Sequence, residues 1–233
     1  MKPNPLLSPS RRRAFTLIEL LIVIAIIAIL AALLFPVGAK IKNGATIKKA
    51  QAELLQVETA INSYKAKYGH YPPDGSAGPV VNPLYFELLG CALVNLPAEP
   101  PYPPGWYFRT VGGDARILTN DVPSFFGVGG FVNCTKGSGD EGAPAVKFLS
   151  GLKPGQYGDV SPPSYGVRLL ACSVLWPDKL TYQPTSTQTL NPWRYNSSSP
   201  TNNPGAFDLW VDIFIAGKTN RISNWSKQPQ LNP

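Results

Sequence analysis

The side chains that could do chemistry in this sequence are few, and they are poorly grouped. His70 is the only histidine, so any Ser-His-Asp or Cys-His site would have to be built around it. It stands in "YGHYPPD", beside a proline turn, where a surface or packing role is the ordinary one. "AGKT" at Ala216–Thr219 invites a phosphate-loop reading. That loop needs a glycine five residues before Gly217, and Asp212 stands there. Asp140 with Glu141, or Asp208 with Asp212, are the carboxylate pairs that could hold calcium. Neither set has EF-hand spacing, so both read as solvated acids. Cys91, Cys134 and Cys172 form no CxxC pair and have no histidine partner, which removes the usual zinc patterns. Three cysteines allow at most one intramolecular disulfide, with all three pairings open. "NCT", "NSS" and "NWS" are glycosylation sequons in form only. Trp193, Tyr195 and Trp225 could make a sugar-stacking platform, although aromatic side chains more often serve cores and interfaces. No enzyme, cofactor or metal site is expected.

One charged residue stands out by its surroundings. In "RRRAFTLIELLIVIAIIAILAALLFP", which begins at Arg11, every residue from Phe15 to Phe35 is apolar except Thr16 and Glu19. The run is close to the ~20 residues that cross a bilayer as an α-helix. A carboxylate at the centre of such a span costs about 2.5–3.5 kcal/mol on insertion scales and less near one end. An ordinary signal peptide, cut after "PVGA" at Ala39, would have a shorter apolar core of roughly 7–15 residues and no acid within it. A plain single-pass anchor fits the length but gives Glu19 no role.

The stretch "AFTLIELLIVIAIIAILAALLFP" closely resembles the N-terminus of type IV pilins and type II secretion pseudopilins. The resemblance implies that residues 1–14 are a leader peptide cut between Ala14 and Phe15, with N-methylation of Phe15. Glu19 is then the fifth mature residue and Pro36 the twenty-second, both as in that family. Ala14 departs from the usual glycine before the cut. Physical chemistry points the same way. Cleavage would leave an α-ammonium on Phe15 in an apolar setting, where an ammonium and a carboxylate are each costly alone and tolerable as a pair. Pairing of Glu19 with a neighbouring subunit's amine would fix the stagger of packed helices, as one buried polar residue fixes register in coiled coils. Pairing with its own N-terminus is the alternative.

After Pro36 the pattern turns periodic. Ile47, Ala50, Leu54, Val57, Ile61, Tyr64 and Tyr68 make one stripe of an amphipathic helix. Lys49 and Glu53 are spaced to pair at i, i+4. Pro36 is expected to bend or loosen the helix. Most of the 25 prolines and 21 glycines lie beyond Gly69, but so do all five tryptophans, which indicates a folded, loop-rich head. There "NPLYFELLG" reads as a short helix capped by Asn82. "WYFRTVGGDARILT" reads as a hairpin, and "YGVRLLACSVLW" as a strand or short buried helix. Phe207, Leu209, Val211, Ile213 and Ile215 alternate with other residues at a strand period. "GKTN" at Gly217–Asn220 then turns the chain into a second strand ending at Trp225. "YKAKYGHYPPD", "NPWRY" and "FDLW…IAGK…ISNW" are looser echoes of major pseudopilins. Resembling pseudopilins hold calcium in a head loop.

The expected fold class is α+β. It comprises a leader (1–14), a membrane and fibre-core helix (15–39), its amphipathic continuation (40–68) and an antiparallel β-rich head (69–233). The formal charge of +7 falls to +3 without Lys2 and Arg11–Arg13. The remaining basic residues form no stripe, and no nucleic-acid partner is expected. The resemblance implies a type II secretion pseudopilus subunit, single-pass in the inner membrane with a periplasmic head. Its implied partners are copies of itself, a prepilin peptidase, an assembly ATPase with its membrane platform, and minor pseudopilins. A type IV pilus subunit for adhesion, motility or DNA uptake is the nearest alternative. A membrane-tethered ligand-binding protein that never polymerises is the alternative of another class.

Overall fold

The computed structural model describes residues 15–135, 143–160, 167–177 and 189–232, with the side chains of 32–40 left aside. The expected leader and the Asp140–Glu141 pair therefore lie outside the described residues. Helix α1 runs from Leu17 to Tyr68 and is continuous through Pro36. The chain divides into two compact units, Met1–Gly44 and Ala45–Pro233. Among the described residues no helix is long and apolar enough to cross a membrane. The membrane-spanning half expected from the sequence is not recovered as such, because the described side chains of the apolar run end at Ala31.

The second unit is α+β. Within it, the predicted stripe on α1 is buried: Ala50, Val57, Ile61 and Tyr64 are at most 2% exposed, with Ile47 and Tyr68 packed at its edges. Its cover is the head's own core. The expected pair of Lys49 with Glu53 gives way to a tertiary contact. Glu53 is buried, and its carboxylate accepts the Ser173 backbone N–H at 2.9 Å and the Ser173 hydroxyl. One bond from a backbone N–H and one from a hydroxyl, both to a buried carboxylate, outweigh an exposed helix pair worth a few tenths of a kcal/mol.

Helix α2 (Leu84–Leu89) is short and fully buried, and closes at Gly90. Asn82 serves it differently from a simple cap. Its carbonyl accepts the Leu84 N–H at 3.3 Å, while its amide donates to Pro79 O and Trp193 O at 2.9 and 2.8 Å. One sheet joins strands β1 (Cys91–Leu96), β2 (Gly105–Thr110), β3 (Arg116–Leu118) and β4 (Cys134–Thr135) in the order β3-β2-β1-β4. The β2–β3 pair is the predicted Gly112-Gly113 hairpin. The β1–β4 pairing is parallel, so the head is not wholly antiparallel as expected. Helix α3 (Val122–Phe126) lies in the β3–β4 connection. Strands β5 (Tyr157–Val160) and β6 (Val167–Leu170) form a separate hairpin, which settles "YGVRLLACSVLW" in favour of a strand.

The second sheet has the order β10-β9-β8-β7, from β7 (Arg194–Asn196), β8 (Asp208–Ile215), β9 (Lys218–Ser223) and β10 (Ser226–Leu231). Leu209, Val211 and Ile213 fill the core, as their alternation predicts. The other face of β8 is also covered, against expectation. Asp208 is 2% exposed, and its carboxylate accepts the Thr201, Asn202 and Asn203 N–H groups at 2.8–2.9 Å. Asp212 takes the Arg221 guanidinium in two bonds of 2.8 and 3.0 Å. Acids read as solvated are thus structural, each satisfied by its own loop or sheet. Trp193 and Tyr195 are buried rather than exposed, and Trp225 packs edge-on against Trp210 at 5.7 Å.

The predicted β8–β9 turn is tighter than "GKTN". Ala216 and Gly217 alone make it, both with positive φ (52° and 78°), and pairing resumes at Ile215↔Lys218. Second, β9 ends at Ser223, and a turn at Asn224–Trp225 leads into β10. A two-residue hairpin with both central residues left-handed suits Asn-Gly best, and alanine there carries a steric penalty of order 1 kcal/mol. Ala216→Asn is expected to raise the stability of the head by about 1 kcal/mol, read as a higher urea midpoint with unchanged m-value.

Candidate functional site

The N-terminal part of α1 carries the feature that function has to explain. Phe15, Leu17, Ile18, Leu20, Leu21, Ile22, Val23, Ile24, Ile26, Ile27, Ile29 and Leu30 are all exposed. The exposure of Phe15 (79%) and Leu17 (81%) shows the end of the helix bare. These residues cover every face of the helix, so no rotation would hide them against one partner surface. An apolar patch of this kind on a single chain marks contact with lipid or protein.

The polar end of this surface is a capping box. The Thr16 backbone N–H and hydroxyl both donate to Glu19 Oε2, at 2.8 and 2.7 Å, and the Glu19 N–H donates to Thr16 Oγ1 at 3.3 Å. Thr16 and Glu19 thus satisfy each other and two of the free N–H groups of the helix start. The T-x-x-E spacing is present in the sequence, where the apolar surroundings make Glu19 look like an isolated charge. Of the other residues singled out from the sequence, Ala14 lies outside the described residues. Pro36 lies within the continuous helix, its side chain outside them.

Glu87 anchors the head's own contact with α1, and nothing in its spacing announces it. It is 0% exposed in the middle of α2. Its Oε1 accepts the Val132 N–H at 2.8 Å, and its Oε2 accepts the Asn133 N–H at 3.0 Å and the Tyr64 hydroxyl at 3.1 Å. Asn133 extends the network. Its amide donates to Glu87 O and Val146 O at 2.7 Å, and its carbonyl accepts the Tyr68 hydroxyl at 2.8 Å. Burial pushes the Glu87 carboxyl above its ordinary value, opposed by the Asn133 and Val132 amides and the Tyr64 hydroxyl. Tyr64 is pushed up in turn, first by burial and then by the Glu87 charge. The arrangement has no substrate access and is a clasp between α1, α2 and the loop before β4. An acid inside "LYFELLG" was the one sequence clue to it.

His70 is exposed, with its Nδ1 2.9 Å from Tyr71 O. Ala216–Thr219 is a hairpin turn rather than a phosphate cradle. Asn133 is buried inside its sequon, and Asn224 is bonded to Leu209 N and Phe207 O at 3.0 and 2.9 Å. Among the described residues no group of His, Cys, Asp and Glu is arranged to hold a metal ion.

Residues 9–35 match the family model described as the prokaryotic N-terminal methylation motif. The chain is similar to type II secretion system core protein G of Klebsiella pneumoniae, with 32% identity over 118 residues, 47% of this chain and 76% of the relative. It is similar to the protein of the same name from Dickeya chrysanthemi, with 32% identity over 108 residues, 45% of this chain and 63% of the relative. The Escherichia coli (strain K12) protein of that name is 39% identical over 62 residues, 27% of this chain and 43% of the relative. No solved structure matches. A methylation-type N-terminus followed by a helix running into an α+β head defines the prepilin-like class. Within that class, the chain belongs to the type II secretion pseudopilin family.

The Glu87 clasp makes a prediction about pH. Its raised carboxyl binds a proton in the folded chain that the unfolded chain, with an ordinary value near 4.5, has already released. Stability therefore falls as pH rises from about 4.5 through the raised value. Relative to Glu87→Gln, which has no proton to release, the wild-type chain loses up to about 1.4 kcal/mol per pH unit across that window. Urea unfolding followed by tryptophan fluorescence at a series of pH values reads this slope.

Proposed function

We propose that the chain is processed between Ala14 and Phe15, methylated on Phe15, and held in the inner membrane by the apolar run until it enters a fibre. It is a structural subunit of a type II secretion pseudopilus, a filament of the secretion machinery made by self-assembly. The observation that carries the reading is the helix surface from Phe15 to Leu30, apolar on every side and interrupted by one carboxylate. In the membrane, lipid covers that surface. In the fibre, the same surface of neighbouring copies covers it, and the interchange exposes little apolar area to water.

On this reading Glu19 sets register. The two Thr16 donors converge on Oε2. That leaves Oε1 to accept the Phe15 ammonium of a neighbouring copy, where a buried ammonium and carboxylate offset each other's desolvation. Pro36 supplies a missing donor at which the helix bends as copies pack. Residues 40–68 carry the chain into the head, which forms the outer surface of the fibre and lies in the periplasm. The peptidase, the assembly ATPase with its inner-membrane platform, and the minor pseudopilins act on or with this subunit; the subunit itself contributes packing rather than catalysis.

Two measurements test the reading. Mass spectrometry of the native protein is expected to find a chain beginning at methylated Phe15, whereas one beginning at Lys40 would restore an ordinary signal peptide. Glu19→Ala is expected to leave membrane insertion intact and to abolish filaments, scored by cross-linking ladders from cysteines placed near residue 19. Normal ladders from that variant would remove the register role.

A further inference from the structure

Two of the three cysteines face each other across the first sheet. Strand β4 is only Cys134–Thr135, and it lies parallel to β1 in the register Cys91↔Cys134, Ala92↔Thr135. The Cys91 N–H donates to Asn133 O at 2.9 Å, which holds that register. Directly facing residues on neighbouring strands project to the same side of a sheet, with backbones ~4.7–4.9 Å apart. That separation lies inside the ~4.4–6.8 Å range of Cα distances across disulfides. Cys91 is fully buried, its thiol donating to Phe86 O at 3.5 Å, while Cys134 is half-buried. Cys172 lies elsewhere, buried beside Glu53 of α1 and accepting the Val174 N–H at 3.5 Å. All three are thiols in this structure.

We propose that Cys91 and Cys134 are a disulfide pair, closed when the head meets an oxidising compartment. Of the three pairings the sequence leaves open, the register selects this one. Its occurrence in the cell rests on the periplasmic head proposed above, because periplasmic but not cytosolic conditions keep such bonds oxidised. Its chemistry does not. The oxidant is a disulfide, either a small molecule or a thiol–disulfide oxidoreductase. The Cys134 thiolate, on the accessible side, attacks one sulfur of that disulfide and expels the other as a thiolate. Cys91 then loses its proton and attacks the Cys134 sulfur, releasing the second thiolate. Two protein thiols are oxidised by two electrons, and one disulfide is reduced to two thiols.

The bond has a structural consequence. Strand β4 is too short to hold itself by ladder bonds. Asn133, which precedes it, feeds both its N–H and its side chain into the Glu87 clasp. A covalent tie at residue 134 pins that loop and closes a long loop in the unfolded chain, which stabilises the fold by restricting the denatured ensemble.

The test uses the full chain in detergent, incubated with oxidised glutathione, alkylated and digested with trypsin. Cleavage at Arg109 and Arg116 places Cys91 and Cys134 on separate peptides. The expected product is a linked Cys91–Cys134 peptide pair, with Cys172 alkylated only after unfolding. The oxidised chain is expected to unfold at a higher temperature than the reduced one. Cys134→Ser, which changes one half-buried atom, is expected to abolish this difference. Cys134 recovered as a stable glutathione adduct beside a reduced Cys91, or a bond that includes Cys172, would overturn the assignment. Formation of the pair in vitro but not in protein isolated from cells would leave the pairing standing and count against the periplasmic head.

Discussion

A helix that is apolar on every face must be covered by something other than water, and the N-terminal part of α1 has that character through at least Leu30. Each buried methylene contributes about 0.8 kcal/mol, so the cover is the dominant energetic fact about this region. Lipid and the same helix in other copies are both apolar covers, and the difference between them is small. That near-equality suits the proposed passage from a membrane into a fibre. It also means that apolar contact alone cannot fix how copies align, because sliding one greasy surface along another changes little. Directional polar contacts have to do that, and Thr16 and Glu19 are the only polar residues in the run.

The head solves a different problem. Its stripe on α1 is narrow, and a narrow apolar stripe tolerates rotation and sliding as well. Here the polar contacts come from within the chain. Tyr64 and Tyr68 project from α1 into the Glu87–Asn133 network, while Glu53 is held by Ser173. A buried carboxylate without a cation is costly unless each oxygen is hydrogen-bonded. The Val132 and Asn133 amides and the Tyr64 hydroxyl meet that demand together. Losing any one of them would leave a buried charge short of a partner. The clasp thus ties the helix angle, the placement of α2 and the path of the loop before β4 to one another.

The sequence made the periodic elements legible and hid the tertiary ones. Seven positions from Ile47 to Tyr68 predict the buried face of α1, and Leu209, Val211 and Ile213 predict the core face of β8, because periodicity is a local property. Spacing gives no sign that Glu53, Glu87, Asp208 and Asp212 are buried. Glu53 and Glu87 are held by partners far along the chain, Asp208 by loop amides and Asp212 by Arg221 across the β8–β9 hairpin, none of which shows in spacing. The parallel β1–β4 pairing was invisible for the same reason: β4 has two residues and no pattern. The β8–β9 turn was misplaced because alanine at 216 gives no turn signal, the left-handed conformation being imposed by the strands on either side. At the N-terminus the opposite happened. Its bond to Glu19 makes Thr16 part of a local motif written in four residues, which the apolar surroundings mask.

That local bond bears on how one carboxylate could serve both its own helix and a neighbour. The proposed cut before Phe15 would leave Thr16 an internal residue, with the backbone N–H and hydroxyl that form the capping box retained. The cap holds Glu19 in a single rotamer, with its carboxylate facing back toward the helix start. A side chain already ordered this way loses little conformational entropy when it meets an ammonium from another copy, and preorganisation of that kind strengthens binding without adding a contact. The same geometry places the carboxylate near the chain's own amine, so the two pairings compete. On the proposed reading a neighbour's ammonium would meet the second oxygen, and an apolar setting would strengthen that bond beyond its worth in water. On the proposed register role of Glu19, Thr16 would take part through the carboxylate it orients.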